Sequence, residues 1–221
     1  IRYLATRGGP FSLGLNQMGG FLRGAPGRPR PNIQLYFTPL SFSVESAARR
    51  DLLAPGPEPG FTMGFNTCRP TSRGRIELAS ADPATPPRIV PGTLSTADDA
   101  EEVLEGARLI GQLQETDALQ RLIAAPPVFD PATASDEAIL TDFRARAGTV
   151  FHPCGTCRMA PEAAGGVVDA GVRVHGIEGL CVADASVFPN ITSGNINAAA
   201  VMLGLRAGDI LAGEGGEDLA A

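Results

Sequence analysis

Two short stretches toward the C-terminal end carry the residue types best suited to chemistry. His152, one of two histidines, heads the turn FHPCGTCRM, and Asn195 and Asn197 lie in SGNINAAAVMLG. An unperturbed imidazole titrates near about 6.5, so His152 can take a proton at neutral pH, such as the one an alcohol loses as hydride leaves its carbon. Pro153 biases His152 toward extended backbone angles, and Gly155 permits a sharp turn behind it. The competing role is structural, a histidine bonded to a backbone carbonyl. Asn197 offers an amide that donates to a substrate oxygen without titrating. The run AAAVMLGL reads as a helix whose first turn presents free N–H groups and a positive dipole end. Simple N-capping by Ser193 or Asn195 is the alternative. Asp184 ends an apolar stretch, where ligands of open α/β sheets sit; it equally suits an ordinary turn.

Cys154 and Cys157 form a CxxC pair. A zinc site would need two further ligands, and His152 and His175 are the only histidines. A redox dithiol would open a helix, which Pro161 cuts short. Metal or thiol-redox function is therefore the alternative chemistry, and no metal site is expected. Cys68 and Cys181 read as buried small hydrophobes, and His175 as an exposed turn residue.

The formal net charge is −6. Arg23, Arg28 and Arg30 sit among Pro and Gly without an aromatic stacking set, which is no nucleic-acid footprint. No apolar run approaches the roughly 18 residues that span a bilayer. Four irregularly spaced cysteines do not make a secreted disulfide framework and point to a reducing, cytoplasmic setting.

The elements that must position these residues follow from periodicity. Residues 8–31 read as an irregular surface connection. Asn32–Phe42 reads as a strand interrupted by Pro39, and Leu52–Gly60 as a Pro/Gly loop. Phe61–Cys68 and Arg75–Ala79 read as strands joined by the turn Arg69–Gly74, giving a three-stranded antiparallel sheet. Apolar spacing predicts helices over Ser95–Leu113, Asp117–Ala124 and Ser135–Ala147, with Ile139, Leu140 and Phe143 facing inward. Ser95 or Thr96 can cap the first, and acidic residues 98–102 favour its positive end. Gly179–Asp184 reads as a buried strand of another sheet, one that can lie outside this chain. The acidic, Gly-rich tail 214–221 reads as frayed.

Taken together, FHPCGTCRM at 151–159, VVDAGVRVHGIEGLCVADASVFP at 167–189 and ITSGNINAAAVMLG at 191–204 resemble the C-terminal signature of the glucose–methanol–choline (GMC) oxidoreductases. RPTSRGRIELASADPATPPRI at 69–89 is similar to the sheet-turn segment of that family's substrate-binding domain. The resemblance implies an α+β fold: residues 1–150 as a substrate-binding antiparallel sheet with covering helices, and 151–213 carrying the active-site turn plus a strand–helix of an FAD-binding α/β domain. It implies FAD-dependent alcohol oxidation, with His152 as base, hydride passing to flavin N5, and Asn197 orienting the alcohol. Phe151, Asp184, Ala185, Asn197, Ala198 and Ala199 fall at positions that flank or touch the flavin. No GxGxxG nucleotide loop occurs in the sequence. The expected partner is therefore an N-terminal FAD-binding segment or chain, together with a small-molecule alcohol. The alternative from a different class is a non-catalytic fragment or binding module.

Overall fold

The alternation in IQLYFT and the mixed pattern of TMGFNT do produce strands. The computed structural model describes residues 2–9, 12, 14, 16, 18–41 and 58–213. They contain α1 (Arg2–Thr6), β1 (Met18–Leu22), β2 (Ile33–Thr38), β3 (Thr62–Thr67), β4 (Arg75–Glu77), β5 (Arg88–Val90), α2 (Ala97–Gln114), α3 (Asp117–Gln120), α4 (Asp136–Arg146) and α5 (Asn197–Leu211), with short 3₁₀ turns at Glu162–Ala164 and Ala185–Val187. The result is an α+β fold of small antiparallel sheets and helices. Two compact units divide the chain: Ile1–Cys68 with Thr96–Thr149, and Arg69–Ser95 with Val150–Ala221. Among the described residues no helix is long and apolar enough to cross a membrane. The tail 214–221 and most of the loop expected at 52–60 lie outside the described residues.

The first unit is built on an antiparallel sheet in the order β1-β2-β3. Its register sets Gly19, Tyr36 and Gly64 in one row and Phe21, Gln34 and Asn66 in the next. β1 corrects the expectation of an irregular connection over 8–31. Its sequence, Met-Gly-Gly-Phe-Leu, has two glycines and no β-branched residue, so the partner strand rather than local propensity extends it.

α2 covers one face of this sheet. Thr96 caps it by accepting from the Asp99 N–H at 3.4 Å, and Asp98 and Asp99 complement the helix dipole. At Gly106 a Cβ would come within 2.4 Å of the Phe65 ring, so the missing side chain lets helix and strand touch. Phe65 also meets Phe143 of α4, with ring centroids 5.7 Å apart. Ser135 caps α4 by accepting from Ala138 N–H at 3.2 Å. Ile33, Val103 and Ile139 are at most 2% exposed and form the centre of this layer. Each such burial stabilises by about 1.5–3 kcal/mol. At the layer's edge, Glu105 accepts from Arg28 Nη2 at 2.6 Å and Nε at 3.0 Å, and from the buried Asn32 amide at 2.8 Å. Glu105 thereby raises the Arg28 pKa. α3 stops at Gln120 rather than Ala124, because it buries no residue to reward a further turn.

In the second unit β4 pairs with β5, Arg75 facing Val90. It does not extend the sheet of β2 and β3, contrary to the three-strand expectation; its partner Arg88–Val90 follows it after the loop 78–87. Val168, Val172, Val187, Leu203 and Ala207 form a small core. Residues 179–184 make a single antiparallel bridge, Arg173–Cys181, instead of a named strand. Val174 N–H donates to Leu180 and Val182 N–H to Val172, closing a tight hairpin with Gly176 and Gly179 at positive φ.

Candidate active site

The turn that carries His152 is held by backbone bonds rather than by regular structure. Cys157 N–H donates to Ser186 C=O at 2.9 Å and Met159 N–H to Val187 C=O at 2.8 Å, lacing residues 157–159 onto 186–187. Gly155 adopts φ +87, the left-handed conformation that the reversal behind His152 requires. Phe151 lies in the same region at φ +60, uncommon for a bulky residue, and the residue is 79% exposed.

The partner turn, 190–196, is braced by two arginines of the linker after β3. Arg69 Nη1 donates to Ser193 Oγ at 2.7 Å, and Arg73 Nη2 donates to Asn190 Oδ1 at 2.5 Å. Arg73 also donates to the carbonyls of Pro70, Thr71 and Ser72, which fixes its own head. Thr192 Oγ1 closes the turn on Gly194 C=O at 3.0 Å. Ile196 is buried and begins the entry into α5.

These turns bring His152 and Asn195 together. Asn195 Nδ2 lies 2.8 Å from His152 Nε2. With the ring proton on Nδ1, Nε2 accepts from the amide and keeps its lone pair on the side facing Asn195. Asn197 lies two residues further on, exposed, as the first residue of α5. Asn195 is thus the residue that the sequence pattern had offered only as a possible cap. No side chain caps α5 among the described residues: Ser193 accepts from Arg69, and Asn195 turns to His152. The N–H groups of Asn197, Ala198 and Ala199 therefore open the helix without a side-chain acceptor. The signal that could have singled out Asn195 is its place before the helix, where a side chain turns outward from the first turn.

Asp184 accepts from the Ser186 N–H at 2.8 Å and caps the short turn 185–187. Hydrogen bonds from Ser186, first from its side chain and then from its backbone, hold the Asp184 carboxyl below its ordinary pKa. His175 is not the exposed turn residue expected. It is half-buried, with Nε2 2.9 Å from Ala160 C=O, because the hairpin 172–182 folds back on the segment that follows Met159. Burial pushes the Cys154 thiol pKa up, against the opposing charge of Arg73, which keeps the sulfur protonated. Cys157 packs half-buried against the Val168 core.

The geometry defines a site in which an imidazole and a carboxamide converge beside an uncapped helix start, on an α+β scaffold. A family model described as GMC oxidoreductase matches residues 70–204. The chain belongs to the GMC oxidoreductase family. It is 35% identical over 209 residues to an alcohol dehydrogenase [acceptor] of Pseudomonas putida, covering 95% of this chain and 37% of that protein. It is 35% identical to an oxygen-dependent choline dehydrogenase of Rhizobium johnstonii, covering 96% of this chain and 38% of the relative. Among solved structures, a formate oxidase of Aspergillus oryzae RIB40, studied for its FAD modification, superposes with a TM-score of 0.81 at 28% identity, over 96% of this chain and 40% of that one. The chain thus spans little more than a third of the length of the curated relatives it matches.

Proposed function

We propose that this chain is the C-terminal portion of an FAD-dependent alcohol oxidoreductase in which His152 takes the hydroxyl proton of the substrate. The 2.8 Å contact between His152 Nε2 and Asn195 Nδ2 carries the reading. An alcohol oxygen that takes the place of this direct contact, within hydrogen-bond distance of both nitrogens, donates its proton to the ring and accepts from the amide. The amide then stabilises the negative charge that develops on that oxygen. Asn195 supplies the amide nearest the ring, and Asn197 contributes to orienting the alcohol from the first turn of α5, as the family resemblance implies.

The residues present fit one side of a flavin. The uncapped N–H groups of Asn197, Ala198 and Ala199 suit an electron-rich ring edge, and Asp184–Ala185 a ribityl–pyrophosphate chain. The exposed Phe151 ring suits the flank of an isoalloxazine. When bound, FAD supplies the hydride acceptor. Val201, Met202 and Leu205 leave one side of α5 apolar and exposed, which suits packing of α5 and residues 179–184 into an FAD-binding α/β domain. The remaining flavin contacts come from an N-terminal FAD-binding segment or partner chain.

The test is anaerobic flavin reduction by a primary alcohol in the full-length, FAD-loaded enzyme. His152→Ala is expected to slow reduction by about 10²–10⁴-fold. Asn195→Ala should cost more than Asn197→Ala; equal rates in the parent and His152→Ala remove the histidine as base.

A further inference from the structure

The β4–β5 hairpin of the second unit leaves an apolar face in water. β4 and β5 make a two-stranded sheet, and among the described residues β5 is the only strand bonded to β4. One edge of β4 is therefore open. Ile76 faces Ile89 across the pair, and the two are 53% and 66% exposed. Leu78, just beyond β4, is 90% exposed. A hairpin of two strands is marginal in water unless something covers one of its faces.

The other face carries charge, in an order that matters. Successive strand residues point to opposite faces, so Arg75 and Glu77 share the face away from Ile76. Arg75 Nε donates to Glu77 Oε1, and Arg88 Nη1 lies 3.7 Å from Glu77 Oε2. A strand edge guarded against association carries one sign of charge, commonly lysine. β4 instead runs plus, apolar, minus, which a second β4 running antiparallel complements about Ile76. Arg75 then faces Glu77 of the second copy, Ile76 faces its own counterpart, and Glu77 faces Arg75. A slip of one residue would set Arg75 against Ile76, and a slip of two would set Arg75 against Arg75, so one register is specified. The β5 edge lacks this property, because Arg88 would meet Val90.

We propose that β4 is a dimerisation edge, which pairs antiparallel with β4 of a second copy of this chain about a two-fold axis at Ile76. The product is one four-stranded sheet whose apolar row runs Ile89, Ile76, then Ile76 and Ile89 of the second copy. Extending the register by one residue sets the exposed Leu78 opposite Gly74 of the second copy, which has no side chain to obstruct it. The interface is isologous and closes at two copies, since each β4 edge is used once. It does not depend on the reaction proposed above.

The test is sedimentation of the full-length, FAD-loaded enzyme across about 1–100 µM, since so small a contact gives a dimer in about the micromolar range. The parent should pass from monomer to dimer within that span. Arg75→Glu sets carboxylate against carboxylate, Glu77→Arg sets guanidinium against guanidinium, and symmetry counts each exchange twice. Each variant alone should dimerise about 30-fold more weakly and stay largely monomeric. Mixed in equal amounts, the two should form a heterodimer of parent-like affinity, because each then meets the opposite charge. Within each variant the internal pair between residues 75 and 77 stays broken, so recovery on mixing comes only from contacts between chains.

A cross-link locates the axis. Ile76→Cys places a thiol at the two-fold, and oxidised glutathione should join two chains there through a disulfide, in yield well above the parent. Ile89→Cys lies three strand spacings, about 14 Å, from its counterpart and should not cross-link. A parent that stays monomeric at about 100 µM would show the hairpin covered by the N-terminal segment instead, and would overturn the inference. So would a parent dimer that both charge variants keep, charge variants that stay monomeric when mixed, or cross-linking through position 89 in place of 76.

Discussion

The two units hold polar groups in place by opposite means. In the first, Gln34, Tyr36 and Asn66 project from a sheet whose other side is packed against α2 and α4 through Ile33, Phe65, Val103 and Ile139. In the second, His152 and Asn195 stand on turns with few buried neighbours, positioned by Arg69, Arg73 and the bonds that tie 157–159 to 186–187. A strand face is rigid because a core stands behind it; a turn is rigid because its polar groups are used up. Packing tolerates few changes of volume, whereas bracing tolerates few losses of a donor.

That contrast can be broken from either side. The largest expected effect is from Ile139→Ala, which empties a fully buried site and should destabilise by about 2–5 kcal/mol. Hydrogen exchange should show the loss in β2, β3 and α2, while amides of 167–187 keep their protection; equal loss in both places would refute independent support. Glu105→Ala comes next. It strands the buried Asn32 amide and the Arg28 guanidinium, and should cost about 1–3 kcal/mol, read as a shift in the denaturant midpoint.

Arg69→Ala combined with Arg73→Ala inverts the pattern. Global stability should change by less than about 1 kcal/mol, since Arg73 is exposed and Arg69 only half-buried, yet flavin reduction should slow by about tenfold as the 190–196 turn loosens. Unchanged turnover would show that the braces do not govern Asn195. The smallest effect concerns acid. The Asp184 pKa is lowered in the fold, so its stabilisation is present above its ordinary value near about 3.9 and is lost as pH falls through the lower folded value. Asp184→Asn should lower the melting temperature slightly above pH about 5, where the stabilisation is present, and flatten its fall on the acid limb.

Much of the first unit was legible before any coordinates. Helical spacing marked α2 and α4, and a capping hydroxyl marked the start of α2, where Thr96 does cap; Ser135 caps α4 in the same way. Alternation marked β2, and β3 falls within the strand read over Phe61–Cys68. β1 was not legible because Met18–Leu22 lacks branched residues, and its extension depends on β2. Nor was the pairing of β4 with β5, since three-residue strands leave almost no periodic trace. In the second unit the conspicuous residue types were plain to read, but their partners were not. His175 looked like an exposed turn and is bonded to Ala160.

Local chemistry along the chain therefore determined which segments become helices, where they are capped, and that one histidine turn and one asparagine-bearing helix start belong to this family. Tertiary structure alone decided that Asn195 rather than Asn197 meets His152, and that Tyr36 and Asn66 share the sheet face opposite α2. The reason is physical: propensity and capping act over a few neighbouring residues, whereas a 2.8 Å contact between residues 152 and 195 depends on how two turns, each fixed by distant donors, are brought to one place.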